Sequence, residues 1–233
     1  MVLHYRYNEG SIKDCTRSGC DKDSNRVYTL QTTTKLPPQK VILSVSANKK
    51  QLIDLINDDL VSKKDVLTNK LFITGSNPVP TEIDSGVIIK RFDMRITHEE
   101  ADTMIIHHII HAGIPNVLVI ADDTDVFILL CHFIFHGDIQ SSVKMLSPIK
   151  GRAMIDVNRT VDQNRPVMEN LLAAHGLTGC DTVATFYGVG KAAALKVLKT
   201  SVHSLDKIGD VSSPLSDVTE QAFKFLQGLL STS

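Results

Sequence analysis

The chain has 233 residues, a formal net charge of −1, 42% hydrophobic and 22% charged residues. That composition is globular and excludes disorder, a collagen repeat and an extended coiled coil. The near-neutral balance excludes a globally basic nucleic-acid binder and leaves room only for a local basic patch.

Residues 1 to 40 read as a loosely structured N-terminal segment, polar and ending in Pro37-Pro38. The first ten residues lack the apolar stretch of a signal peptide. Cys15 and Cys20 can begin a zinc site, but no second Cys/His pair follows at suitable spacing. With Cys131 and Cys180 they are too scattered for a disulfide framework, so a reducing compartment, nucleus or cytoplasm, is expected. Asn48 to Gln51 reads as a capping box, and Leu52, Ile53, Leu55, Ile56 and Leu60 predict a helix from about 49 to 61. Leu71 to Thr74 and Val87 to Ile89 are short strand candidates. Thr97 to Glu100 is a capping box that opens a helix through about Ala112, with Met104, Ile105, Ile109 and Ile110 as its core face.

Val117 to Ala121 is apolar on both faces, as in a buried parallel strand. Asp122-Asp-Thr-Asp125 follows, then a helix through Phe135 with Gly137 at its end. The longest apolar run, Val126 to Phe135, is too short to cross a bilayer, and no membrane segment is expected. Val143 to Leu146 predicts another strand, and Pro166 suits the start of the next helix. Gly188-Val-Gly190 leads into a helix over Lys191 to Lys199, and Asp217 can cap a last helix with Phe225 and Leu229 on one side. Strands alternating with helices predict an α/β fold with a mainly parallel sheet flanked by helices. The expected organisation is residues 1–40, an α/β domain over 41–165 and a helical region over 166–233.

Ligands in open α/β sheets lie at the carboxyl ends of strands. Asp123 and Asp125 stand just past the strand at 117–121, two residues apart, so both can face one crevice. Glu100 and Asp102 open the preceding helix, and Asp181 lies in the turn Thr-Gly-Cys-Asp-Thr. Such carboxylates gathered together suit a hard divalent cation, and two ions about 4 Å apart would serve phosphodiester hydrolysis. Each residue also has a plainer role. Glu100 completes its capping box, Asp102 complements the helix dipole, Asp122 or Thr124 can cap the next helix, and Asp181 can form an Asx turn. Gly188-Val-Gly190-Lys191, before a helix, offers backbone N–H groups for a phosphate. The pairs His107/His111 and His132/His136 are read as packing or surface residues, because the His-Glu-x-x-His pattern is absent.

Glu100-Ala-Asp102, Asp123-Thr-Asp125, Thr-Gly-Cys-Asp181 and Gly188-Val-Gly190-Lys191, in that order, resemble the PIN-like domain of the flap endonuclease superfamily of structure-specific 5′-nucleases. The segments Ser11 to Arg17, His98 to Thr103 and Thr178 to Thr182 are similar to a poorly characterised animal branch of that superfamily. The resemblance implies a PIN-like fold with a helix-two-turn-helix-like C-terminal part. It implies Glu100, Asp102, Asp123, Asp125 and Asp181 as ligands of Mg²⁺ or Mn²⁺, with Asp123 and Asp125 catalytic. It implies Gly188, Gly190 and Lys191 as contacts to a DNA or RNA backbone. The superfamily's first strand, ending in an Asp, has no counterpart here, and Tyr5 stands at about the place of a second Asp. The expectation is therefore a truncated, nuclease-related hydrolase domain with weak or absent activity. The alternatives are a non-catalytic nucleic-acid-binding module and a mobile-element-derived fragment.

Overall fold

The computed structural model describes residues 26–75, 77–95, 101–180, 183, 190–200 and 204–231. Cys15, Cys20, the capping box at 97–100, and the site candidates Glu100, Asp181 and Gly188 lie outside them. The described chain is α/β, and it divides into two compact units, Met1–His108 and Ile109–Ser233. No helix among the described residues is long and apolar enough to cross a membrane.

The first unit contains helices α1 (Gln39–Ile42) and α2 (Ser46–Ser62) and strands β1 (Leu71–Ile73), β2 (Thr81–Asp84) and β3 (Val87–Lys90). Helix α2 begins earlier than the periodicity predicted, and Asn48 does not cap it. Asn48 is fully buried and clamps the segment at 26–28 instead: its Oδ1 accepts from Tyr28 N and its Nδ2 donates to the Arg26 carbonyl. One turn on, Gln51 does the same with Leu30 N and the Tyr28 carbonyl. These amides saturate backbone groups that would otherwise be left unpaired. The three strands form an antiparallel sheet in the order β1-β2-β3. The two-residue turn Ser85-Gly86 has φ of 50° and 80°, the left-handed pair that a tight hairpin needs.

Glu82 in β2 is a buried carboxylate held by two cations. Lys70 Nζ is 2.8 Å from its Oε1, and Arg91 Nη1 bonds its Oε2. Lys70 also reaches Asp84 at 3.0 Å. The Lys70 hydrogen bond holds the Glu82 carboxyl below its ordinary value of 4.5, with Arg91 adding to it against the cost of burial. A lowered folded value means that the stabilisation is fully present above the unfolded value and is lost as pH falls through the folded one. Stability of this unit should therefore fall as pH drops below about 4.5. Glu82→Gln should cost about 1–3 kcal/mol at neutral pH and flatten that acid limb. Urea unfolding of both chains at pH 7 and at pH 4 checks it; equal acid sensitivity would rule Glu82 out as its source.

Helix α3 (Ala101–Ala112) spans the boundary between the units. Met104, Ile106 and Ile109 are buried and Ile110 is exposed, so the core face is rotated from the predicted one. The second unit continues with β4 (Asn116–Ile120), α4 (Thr124–Phe135), β5 (Ser142–Leu146), β6 (Ile155–Asp156), α5 (Val157–Gln163), α6 (Arg165–Leu177), α7 (Lys191–Thr200) and α8 (Leu215–Leu230). Strand β4 pairs with β5 in parallel through the connecting helix α4, and β6 adds antiparallel to β5. Parallel pairing among the described strands is thus confined to one ladder. Residues 147–154 between β5 and β6 fall short of the dozen or so that a parallel crossover requires. Among the described strands β4 lies at the edge of its sheet, with one covered face. Val119 is buried beside Met145, whereas Leu118, opposite Lys144, and Ile120 are 53% and 65% exposed, contrary to the predicted two-sided burial. The core of the unit is Val126, Leu130 and Cys131 of α4, Val143, Val157, Val161, Phe225 and Leu229. Helix α4 packs on α5 and α6, and α7 packs on α6 and α8. Gly137, at φ 85°, closes α4.

Candidate functional site

Strand β4 runs out into Ala121, whose N–H still bonds the Leu146 carbonyl at the end of β5. The acidic run therefore leaves the sheet at the carboxyl end of its parallel pair. A crevice of about 230 Å³ lies there, lined by Asp122, Asp123, Thr124, Ser147 and Arg152 among others. The candidate crevice falls where ligands of open α/β sheets are found.

The three carboxylates of the run take three different partners. Asp122 receives Arg152 Nη1 at 2.5 and 2.7 Å. Asp123, not Asp122 or Thr124, caps α4, its Oδ1 accepting from Asp125 N at 2.9 Å. Asp125 turns to α6, where its Oδ1 lies 2.8 Å from Nε2 of the buried His175. The three carboxylates are thus met separately, by a guanidinium, by a helix N-terminus and by an imidazole ring. Arg152 is 57% exposed, so its pair with Asp122 is worth at most about 1 kcal/mol.

Asp102 is buried in the first turn of α3, in the first unit. Among the described residues no group of three or more His, Cys, Asp or Glu side chains is arranged to hold a metal ion. Mg²⁺ asks for an octahedron of oxygens, and Asp123 and Asp125 each have one oxygen engaged in another bond. The described donors alone therefore do not fit such an ion. His132 and His136 lie against each other with tilted rings, their centroids 4.4 Å apart. Burial, and then the neighbouring His136, hold the His132 ring below its ordinary value.

Gly190 immediately precedes α7 and accepts from Ala193 N and Ala194 N; a Cβ there would meet open space. Lys191 reaches back to the end of α6. Its Nζ donates to the His175 carbonyl at 2.9 Å, to Thr178 Oγ1 at 3.1 Å and to the Gly179 carbonyl. Burial lowers its ammonium below the ordinary lysine value, while Cys180 and Asp125 oppose that shift. Three protons on three acceptors satisfy the group, and carbonyls at a helix C-terminus favour a cation. A phosphate contact by Lys191 would have to replace these bonds.

Two residues of this region escape sequence reasoning. His175 binds Asp125 across fifty positions and Arg152 binds Asp122 across thirty, and no local spacing signals either bond. Comparison with protein-family models, with curated proteins and with solved structures found no match.

Proposed function

We propose that the chain is a PIN-like, flap-endonuclease-like domain, related to Mg²⁺-dependent nucleases and contacting DNA or RNA, with little cleavage of its own. The observation that carries this reading is the crevice at the carboxyl ends of the parallel strands β4 and β5, lined by Asp122 and Asp123, with Asp125 two residues on. In the order of the acidic motifs, Glu100, Asp102, Asp123, Asp125 and Asp181 are the candidate ligands, and Gly188, Gly190 and Lys191 the candidate backbone contacts. Weak cleavage follows from the bonding of the run. Asp122 is neutralised by Arg152, and Asp125 shares its Oδ1 with His175.

The test is a Mn²⁺-supplemented cleavage assay on flap, single-stranded and duplex substrates, run beside an Asp123→Ala/Asp125→Ala double variant. The expected result is slow or no cleavage by the parent chain, with binding to at least one substrate that weakens as salt rises. Robust cleavage that disappears in the double variant would overturn the weak-site reading and keep the nuclease one. Absence of both cleavage and low-salt binding would overturn the assignment altogether.

A further inference from the structure

The second unit holds another concavity, which adjoins the acidic crevice and shares Thr124 and Phe127 with it. A cleft of about 250 Å³ lies among α4, α5, α6 and α7, walled by Phe127, Cys131, Met168, Leu171, Ala194 and Leu198 with other apolar residues. Protein interiors are close-packed, and voids larger than a water molecule are few. This one is large against the roughly 150 Å³ apolar cavity that accepts benzene.

Thr124 also lines the cleft, and the other polar side chains at its wall have bonds elsewhere. Thr178 Oγ1 donates to the Ala174 carbonyl at 2.7 Å, and Thr160 Oγ1 to the Asp156 carbonyl at 2.8 Å. Asn164 Nδ2 donates to the Thr160 carbonyl at 2.9 Å. Lys191 Nζ has its three acceptors, and His175 Nε2 has Asp125. His175 Nδ1 has no hydrogen bond but is itself covered, exposing less than 1 Å². Burial pushes the Cys131 thiol up to about 12, so it stays protonated and behaves as a small apolar group. A water needs two to four polar partners to be held well, and this wall supplies few. Poorly held water is displaced with advantage by an apolar group.

We propose that this cleft is a binding site for a small, uncharged aromatic molecule of one or two rings. The commitment to that class rests on the volume and on the bonding of the wall: there is room for one or two rings, and few groups remain for a charged or strongly polar ligand. Nothing in the inference depends on the nuclease-related reading of the acidic crevice.

The experiment uses the full chain labelled with ¹³C at its methionine methyls, with toluene and naphthalene as probes. Met168 reports on the cleft, Met145 on the acidic crevice and Met104 on the first unit. The expected result is a saturable shift of the Met168 resonance with at least one probe, Met104 staying in place. A rise in Tm of about 2–4 °C near saturation should accompany it, since a ligand that binds only the folded state stabilises it. Ala194→Leu and Ala174→Leu, which fill the cleft from α7 and α6, should abolish both responses while circular dichroism shows them folded. No Met168 shift with either probe would overturn the proposal, as would an equal shift of Met104 or a response that survives both filled variants. If neither filled variant folds, the Met168 titration of the parent chain alone decides.

Discussion

Replacing Phe225 by alanine should cost about 3–5 kcal/mol of stability in the unit that carries the acidic crevice. Phe225 is fully buried on α8, with Leu229 beside it at 1% exposure one turn later. Truncating a fully buried aromatic loses its transfer free energy and leaves a cavity that the surroundings fill only in part. The surroundings here have little room to adjust. A Cβ on Gly228 would stand 3.1 Å from Val197 Cγ1, so α7 and α8 approach closely at that point. The helix is also tied to the segment before it, with Gln221 Oε1 accepting from Lys207 N, and that segment is tied to α6, with Asn170 Oδ1 accepting from Leu205 N. Because α8 packs on α7, and α7 on α6, a loosened α8 weakens the support of Lys191 and His175. Phe223, two residues away and 59% exposed, is the control: its alanine variant should change stability by no more than about 0.5 kcal/mol. Urea unfolding of the two variants beside the parent checks the contrast, and a Phe225→Ala cost under 1 kcal/mol would refute the placement of α8.

The second large effect is expected at Asp125. Removing its carboxylate with Asp125→Ala leaves His175 with neither ring nitrogen bonded, since Nδ1 already lacks a partner. An abandoned polar atom in a side chain only 8% exposed should cost about 1–3 kcal/mol. Asp125→Asn keeps an oxygen that can accept from His175 Nε2–H, so it should cost clearly less than the alanine variant. Asp122→Asn removes an exposed ion pair and should cost at most about 1 kcal/mol. Unfolding midpoints of the three variants order them. The asparagine variant also separates two roles of this residue. If it stays folded and loses substrate binding or cleavage, Asp125 serves the crevice and not only the His175 bond. If alanine and asparagine cost the same, the Asp125–His175 bond contributes nothing to the fold.

The elements themselves were largely legible. The apolar periodicity of 49–61 reports on residues three or four apart, which lie on one helix face, and the helices ending at Ala112 and Phe135 were legible from a capping box and from an apolar run closed by a glycine. The strand before Asp122 was legible as a continuous apolar run, and with it the placement of the acidic run at its end. Burial was less legible. Leu118 and Ile120 look like core residues in any local window, yet one face of β4 is open in its three-stranded sheet. An apolar side chain states what it would favour, and only the packing of distant elements decides whether a cover arrives.

The candidate site divides along the same line. Residue types and their order determined by themselves that carboxylates would stand at a strand end and that a lysine would open α7. Only the tertiary structure decided that Asp122 faces Arg152, that Asp125 faces His175 and that Lys191 Nζ lies on the last carbonyls of α6. Each of those bonds joins segments that are remote in the chain. A carboxylate or an ammonium accepts any partner of suitable charge and geometry, so its choice is made by which segments the hydrophobic core brings together.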